Sequence, residues 1–381
     1  MIDKDILVLK DQVITHRRWL HKNPEIRFEV YDTRNYILEE LKRIGFTEIK
    51  VLAKTGIKAV LRGRTGDRTL AFRADMDALA IEEKTGLPFA SLRKGYMHAC
   101  GHDGHMSILL GFAKWIFNNK DKIDDNIVLV FQPDEELEGG AQPMIEEGLL
   151  EDPKVDAIFG LHIMPDLPQG KIGLRKGPLM AQTSEVDIEI MGKSAHGAMP
   201  YKGVDAIVAA AHFVTAIQSM LTRTFDPAEE IVFSIGKIQG GSSRNIIAGK
   251  VSMECTVRTF SEELYQAVKE KTVDLLAGME KSHRIKSTYK DGIYYPPVIN
   301  DEELTQKIID ILPKEQYIRI DPVMISEDFS NYQKVVPGVF SFLGSGNPEE
   351  GHIHPLHSNL FDFDEEVLLY GIQYYKNILM G

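Results

Sequence analysis

The sequence predicts an α/β protein: an open mixed sheet flanked by helices, interrupted by an inserted split-βαβ (ferredoxin-like) α+β domain. Three observations predict it. The chain has 381 residues, too long for one ordinary core. In its first half, short apolar runs alternate with stretches of helical spacing, the pattern of an open sheet with covering helices. Past Met180 the pattern becomes strict alternation, the mark of a strand with one solvated face.

Taken in order, Ile6, Leu9, Val13 and Leu20 fall at roughly helical spacing, so an amphipathic helix is expected over 6–20, ended by Asn23-Pro24. A second helix is expected over 32–44, closed by Gly45. Apolar runs at 58–62, 69–73, 126–131 and 155–161 read as buried strands, with a helix over 104–118 between two of them. From 185 to 191, Val186, Ile188 and Ile190 are apolar while Glu185, Asp187 and Glu189 are polar. A helix (204–221), two strands (230–239, 250–258), a helix (261–281) and a strand (284–291) follow. That β-α-β-β-α-β order is the split-βαβ sandwich. Tyr295-Pro296-Pro297 marks the return to the first domain. The expected boundaries are 1–180 with 293–381 for the larger, discontinuous domain and 181–292 for the insertion.

Composition narrows the function. Apolar content of 43% and charged content of 26% are those of a globular protein. A net charge of −12 without a basic cluster argues against a nucleic-acid partner. The longest apolar helical run, 206–221, is interrupted by His212, Thr215, Gln218 and Ser219, so no membrane span is expected. Two cysteines, Cys100 and Cys255, and a charged N-terminus fit a reducing, cytoplasmic setting.

The chemistry-bearing residues follow the strands. Ligands of doubly wound sheets bind beyond the carboxyl ends of the strands. Asp75 and Asp77 follow the 69–73 run, Glu135 and Glu136 the 126–131 run, and His162 the 155–161 run; His357 lies in a loop past the apolar 339–343 run. The densest segment is Met97-His98-Ala99-Cys100-Gly101-His102-Asp103-Gly104-His105. An i, i+2 spacing sets Cys100 and His102 on one side of an extended segment. A thiolate can bridge two cations, so Cys100 is read as the bridge, with His102 and Glu136 completing one site and His162 and His357 the other. Glu135 stays free as the general base that takes a proton from the attacking water and returns it to the leaving amine. Zinc, manganese, cobalt and nickel all suit this mixed donor set. His98 and His105 are read as supporting or packing residues, and His16, His21, His212, His283 and His352 as structural. Competing motifs fail: Met191-Gly192-Lys193-Ser194 lacks the first glycine of a phosphate loop, and no G-x-S-x-G elbow is present.

These residues resemble the aminoacylase, hippurate hydrolase and auxin-conjugate amidohydrolase branch of the dinuclear metallopeptidases. The resemblance runs through Trp19-Leu20-His21-Lys22-Asn23-Pro24-Glu25, Arg73-Ala74-Asp75-Met76-Asp77, the Cys100 cluster, Glu135-Glu136, Gly192-Lys193-Ser194-Ala195-His196, Arg258-Thr259-Phe260 and Ser326-Glu327-Asp328-Phe329. It implies the same two divalent metal ions and ligand set. It also implies that Asp77 holds a ligand imidazole, that His196 stabilises the oxyanion, and that Asn245 and Arg258 grip the substrate α-carboxylate. The insertion is implied to be a lid and dimerisation domain, giving a homodimer. Asp134 departs from the family's usual alanine, and a third carboxylate there is expected to raise the pKa of Glu135.

The expected function is hydrolysis of a small-molecule N-acyl-amino acid or short peptide at an amide bond. The runner-up is a metallo-carboxypeptidase or dipeptidase. From other classes, a non-catalytic metal-dependent binding protein is countered by the presence of Glu135 and His196, and a zinc-stabilised structural protein would unfold on chelation.

Overall fold

A computed structural model describes residues 2–381. Two compact units emerge: one from the chain up to Gly177 with Ile299–Asp321 and Asp328–Gly381, the other from Pro178–Val298 with Pro322–Glu327. In chain order the strands are β1 (Glu48–Leu52), β2 (Gly56–Leu61), β3 (Thr69–Asp75), β4 (Asn126–Gln132), β5 (Ala157–Pro168), β6 (Ile172–Leu174) and β7 (Gly177–Met180). They continue as β8 (Gln182–Met191), β9 (Val232–Gly240), β10 (Lys250–Thr259), β11 (Lys286–Tyr295), β12 (Val298–Asn300), β13 (Tyr317–Arg319) and β14 (Gly338–Gly346).

The first unit is built on an eight-stranded sheet of order β1-β2-β4-β3-β5-β14-β6-β13. Its centre is parallel (β4, β3, β5, β14), whereas β1–β2, β2–β4 and β14–β6 pair antiparallel. Every residue of β3 and β4 is buried. That is why Ile127-Val128-Leu129-Val130-Phe131 reads as one unbroken apolar run: a central parallel strand is covered on both faces.

The helix His102–Asn118 lies against this sheet and contacts the helices Lys10–Lys22 and Val367–Met380. Residues 102–113 of it are all buried. Close approach depends on two glycines: a Cβ on Gly104 would sit 2.5 Å from Ile163 Cδ1, and one on Gly111 would sit 2.4 Å from Ile372 Cδ1.

The second unit has the sheet order β11-β8-β10-β9, with each neighbouring pair antiparallel. Its two helices, Ala206–Thr224 and Glu262–His283, begin at side-chain caps: Asp205 accepts from the N–H groups of Ile207 and Val208, and Ser261 from that of Leu264. Val186, Ile188 and Ile190 enter a core with Phe213, Ile217, Val251 and Met253, the face that the alternating sequence marks. This is the split-βαβ arrangement expected.

Several elements differ from expectation. The N-terminal helix is two pieces, Lys4–Leu7 and Lys10–Lys22. The strand expected to end at Leu161 runs to Pro168, so His162 lies inside β5 rather than after it. β1, the three-residue strands β6 and β13, and the helices Glu302–Ile311 and Val367–Met380 were not indicated by periodicity.

Candidate metal centre

Six side chains named from the sequence meet in the first unit. His162 projects from β5, and Glu135 and Glu136 occupy the turn after β4. Gly101 takes φ +87°, a conformation cheap only for glycine, and turns the chain so that His102 opens its helix. Cys100 and His102 therefore converge through this turn and not along an extended segment, which corrects the sequence reading. Possible ligand atoms of Cys100, His102 and His162 lie within 4.8 Å of one another. The same holds for Cys100, Glu136 and His357, and for His102, Glu135 and Glu136. Cys100 Sγ is 3.4 Å from His162 Nε2. Glu136 Oε1 is 3.4 Å from His357 Nε2 and 3.8 Å from His102 Nε2. His357 is held from behind, its N–H donating to the Ala99 carbonyl at 2.8 Å.

The imidazoles are oriented by their far nitrogens. His102 Nδ1 donates to the Asp77 backbone carbonyl (2.8 Å), and His162 Nδ1 donates to the Ile163 carbonyl (2.7 Å). Each tautomer is thereby fixed with Nε2 bare and facing the cluster, the arrangement that metal-binding histidines adopt. His102 Nε2 and Glu136 Oε1 are buried without a hydrogen-bond partner. Two such orphans side by side are rare in folded proteins and mark a place for a cation. Asp77 serves both sides of the site. Its carboxylate accepts the N–H groups of Glu135 and Glu136, each at 3.1 Å, and so shapes the glutamate turn, while its Oδ1 stands 3.6 Å from His102 Nδ1 beside the main-chain carbonyl that takes that nitrogen's proton.

Sequence reasoning missed how much His105 does. Its Nδ1 donates to Asp75 Oδ1 (2.6 Å), and its Nε2 accepts from the Ile163 N–H (2.8 Å). The carbonyl of the same residue, one peptide further on, is the one that fixes His162. Asp75 in turn pairs through Oδ2 with Arg73 (2.7 Å), which also reaches Asp328 (3.1 Å) and Gln132 (3.0 Å). A buried relay thus runs from Asp328 through Arg73, Asp75 and His105 to the backbone beside His162. The i, i+3 spacing of His102 and His105 on one helix was the available signal.

A second buried network braces the other side of this helix. Asp103 accepts from His21 Nδ1 (2.8 Å) and Arg17 Nε (3.3 Å), tying Lys10–Lys22 to the turn that carries His102. Burial works against a charged His21, but Asp103 and Glu83 hold its imidazole up at about 9. His98 is buried with neither ring nitrogen hydrogen-bonded, and burial pushes it down to about 3.

The charges of the cluster are unbalanced in favour of anions. Burial, then Glu136 and Glu135, push the Cys100 thiol well above its ordinary range. Against the cost of burial, Asp75 with Asp77 and Glu136 holds the His102 imidazole up at about 10. Cations placed here reverse both effects, releasing the thiol proton and replacing the imidazole proton. Sulfur, imidazole and carboxylate donors around two bare buried atoms fit divalent metal ions. Burial and Asp77 push Asp134 itself up to about 7. Asp134 takes φ +52°, with its Oδ1 buried and unpartnered. Its carboxyl is thus held partly neutral, instead of adding a full third charge beside Glu135.

Three candidates lie in the second unit. His196 is exposed and forms an isolated bridge with Ile246, and the Gly197 N–H donates to the Asn245 carbonyl at 2.7 Å. Asn245 thus sits where β10 begins, since the Gly192 N–H donates to the Gly249 carbonyl at 2.9 Å. Arg258 pairs with Thr183 at the opposite end of the same strand. Eight residues of strand separate Lys250 from Arg258, about 26 Å at the usual rise. By strand length, Asn245 and Arg258 of one chain stand towards opposite ends of β10.

Residues 71–381 match the model of peptidase family M20/M25/M40. The chain belongs to this family. It is 39% identical over 367 residues to the N-acetyl-L-cysteine deacetylase of Bacillus subtilis, covering 96% of this chain and 86% of that one. It is 37% identical over 377 residues to thermostable carboxypeptidase 2 of Saccharolobus solfataricus, with 97% and 95% coverage. The crystal structure of a dinuclear metal binding M20 peptidase from Bacillus subtilis superposes with a TM-score of 0.86 at 34% identity, covering 98% of each chain. This M20 chain is therefore a metal-dependent amidohydrolase, with a catalytic unit and an inserted split-βαβ lid unit. Among the described residues no helix is long and apolar enough to cross a membrane.

Proposed function

We propose that this M20 enzyme hydrolyses the amide bond of N-acyl-amino acids, with short-chain acyl groups such as acetyl as first candidates. The observation that carries the reading is the convergence of Cys100, His102, Glu136, His162 and His357 beside Glu135. We assign these five as the side chains that would hold two divalent ions. When bound, the ions supply Lewis-acid activation of water and of the scissile carbonyl. Glu135, anchored through its N–H to Asp77, takes the proton of the attacking water and delivers it to the leaving nitrogen. Asp77, Asp75 and His105 keep the two glutamates and two imidazoles in register. His196 is assigned the oxyanion, and Arg258, half-buried and free of any carboxylate partner among the described residues, the substrate carboxylate. The catalytic domain is taken as 1–180 with 293–381, and the lid as 181–292.

We further assign a homodimer through the second unit. β9 is an edge strand with one side unpaired, and Ile238 on it is 53% exposed. A second copy would also supply the Asn245 that Arg258 lacks nearby. Ile238→Lys is expected to shift the mass in solution from dimer to monomer, as measured by light scattering.

A carboxypeptidase reading stays in view because a carboxypeptidase relative is nearly as similar as the deacetylase. A panel of N-acetyl-amino acids against N-blocked dipeptides, run with one cation at a time, separates the two. Turnover of peptides alone, with N-acetyl-amino acids untouched, would reject the acylase reading.

A further inference from the structure

The edge of the large sheet carries a second cavity that shares no residue with the metal centre. It measures about 350 Å³ and is lined by Arg175, Lys176, Gln306, Ile309, Tyr317 and Arg319. The register of β13 on β6 sets Arg319 beside Leu174, and so brings it next to Arg175, the following residue. Gln306 and Ile309 come from the helix Glu302–Ile311.

No carboxylate lines this cavity. Glu302, Glu303 and Lys307 border an adjoining depression that shares Lys176 and Gln306, and Asp310 takes the Gln306 amide at 2.6 Å. Among the described residues, none of the Arg175, Lys176 and Arg319 side chains has an ion-pair or hydrogen-bond partner, and Arg175 Nε is buried without an acceptor. In a chain of net charge −12, three cations without a carboxylate partner gather around one hollow. Like charges so placed repel, and an unmet buried donor costs about 1–3 kcal/mol. A bound anion relieves both costs.

We propose that this cavity binds a small molecule bearing a phosphate group. Guanidinium forks match phosphate oxygens in pairs, and Lys176 adds a third positive charge. The volume exceeds that of a lone anion and falls in the range of small-molecule sites. Tyr317 and Ile309 offer an apolar wall for the organic part of a phosphomonoester.

Titration calorimetry on the full-length, metal-loaded enzyme tests this, with inorganic phosphate and glycerol 3-phosphate as probes and succinate as a dicarboxylate control. Arg319→Ala, at an exposed position, and Arg175→Gln are each expected to weaken phosphate-ester binding about tenfold or more, while Lys122→Ala, elsewhere on the surface, leaves it unchanged. Tighter binding of the ester than of inorganic phosphate supports an organic ligand, and equal affinities support phosphate itself. Binding that is identical in wild type and both arginine variants places the anion at the metals and overturns the proposal. So does the absence of saturable binding below about 10 mM, or a preference for succinate.

Discussion

Replacing His105 by two near-isosteres separates the two jobs of its ring. Asparagine places an amide nitrogen near the position of Nδ1 and keeps the bond to Asp75, but it leaves the Ile163 N–H without an acceptor. Glutamine reaches the position of Nε2 and keeps an acceptor for Ile163, at the expense of the Asp75 contact. The Ile163 carbonyl, one peptide beyond the N–H that His105 holds, fixes the tautomer and ring plane of His162, so His105→Asn is expected to lose more metal affinity than His105→Gln. An unpaired buried N–H costs about 1–3 kcal/mol, and loss of groups that orient a ligand typically weakens metal binding about 10–100-fold. Competition with a fluorescent chelator gives the metal affinity of each variant. Thermal melts of the metal-free proteins show whether the fold itself has weakened. If His105→Asn holds its metals as tightly as wild type, anchoring the Ile163 main chain is not what positions His162, and the relay has no functional meaning.

Other outcomes follow from the same geometry. Glu135→Gln is expected to retain both metals, seen by elemental analysis, while turnover falls by about two to four orders of magnitude; full activity would remove Glu135 as the base. His21 has a folded pKa of about 9 against an ordinary 6.5, so its contribution, about 3 kcal/mol at most, is complete below pH 6.5 and is lost as pH rises through 9. Urea unfolding at the two pH values is expected to show this loss in wild type and not in His21→Gln. Gly101→Ala meets only ordinary contacts at 3.6 Å, so its cost is the backbone's, about 1–2 kcal/mol, with weakened metal binding at His102. Gly104→Ala instead drives a methyl to 2.5 Å from Ile163, and overpacking of about 1–3 kcal/mol should outweigh the better helix propensity of alanine. Melting temperatures distinguish both from wild type.

What the sequence shows depends on how local the cause is. The split-βαβ unit was legible because each of its strands is wet on one face, so alternation at Val186, Ile188 and Ile190 marks a core directly. The Cys100–His105 cluster was legible because its donors are adjacent in the chain. The helix Val367–Met380 was not, since Val367, Leu368, Leu369, Ile372, Tyr374 and Tyr375 are buried around most of its circumference and no single stripe stands out. β6 and β13 span three residues each, too few for any period to register. The turn at Gly101 is a three-dimensional fact, and spacing in the chain misjudged it.

The placement of β14 sets the order in which the enzyme can be made. β5 and β6 are joined by a few residues, yet β14 lies between them in the sheet. The gap stays open until a segment some 170 residues further along has left the ribosome, and His357 arrives later still. A nascent chain therefore exposes an unfilled sheet and incomplete ligands throughout synthesis of the insertion. Premature termination anywhere before Gly338 yields a chain that chaperones or proteases must handle, with no partial activity to be recovered.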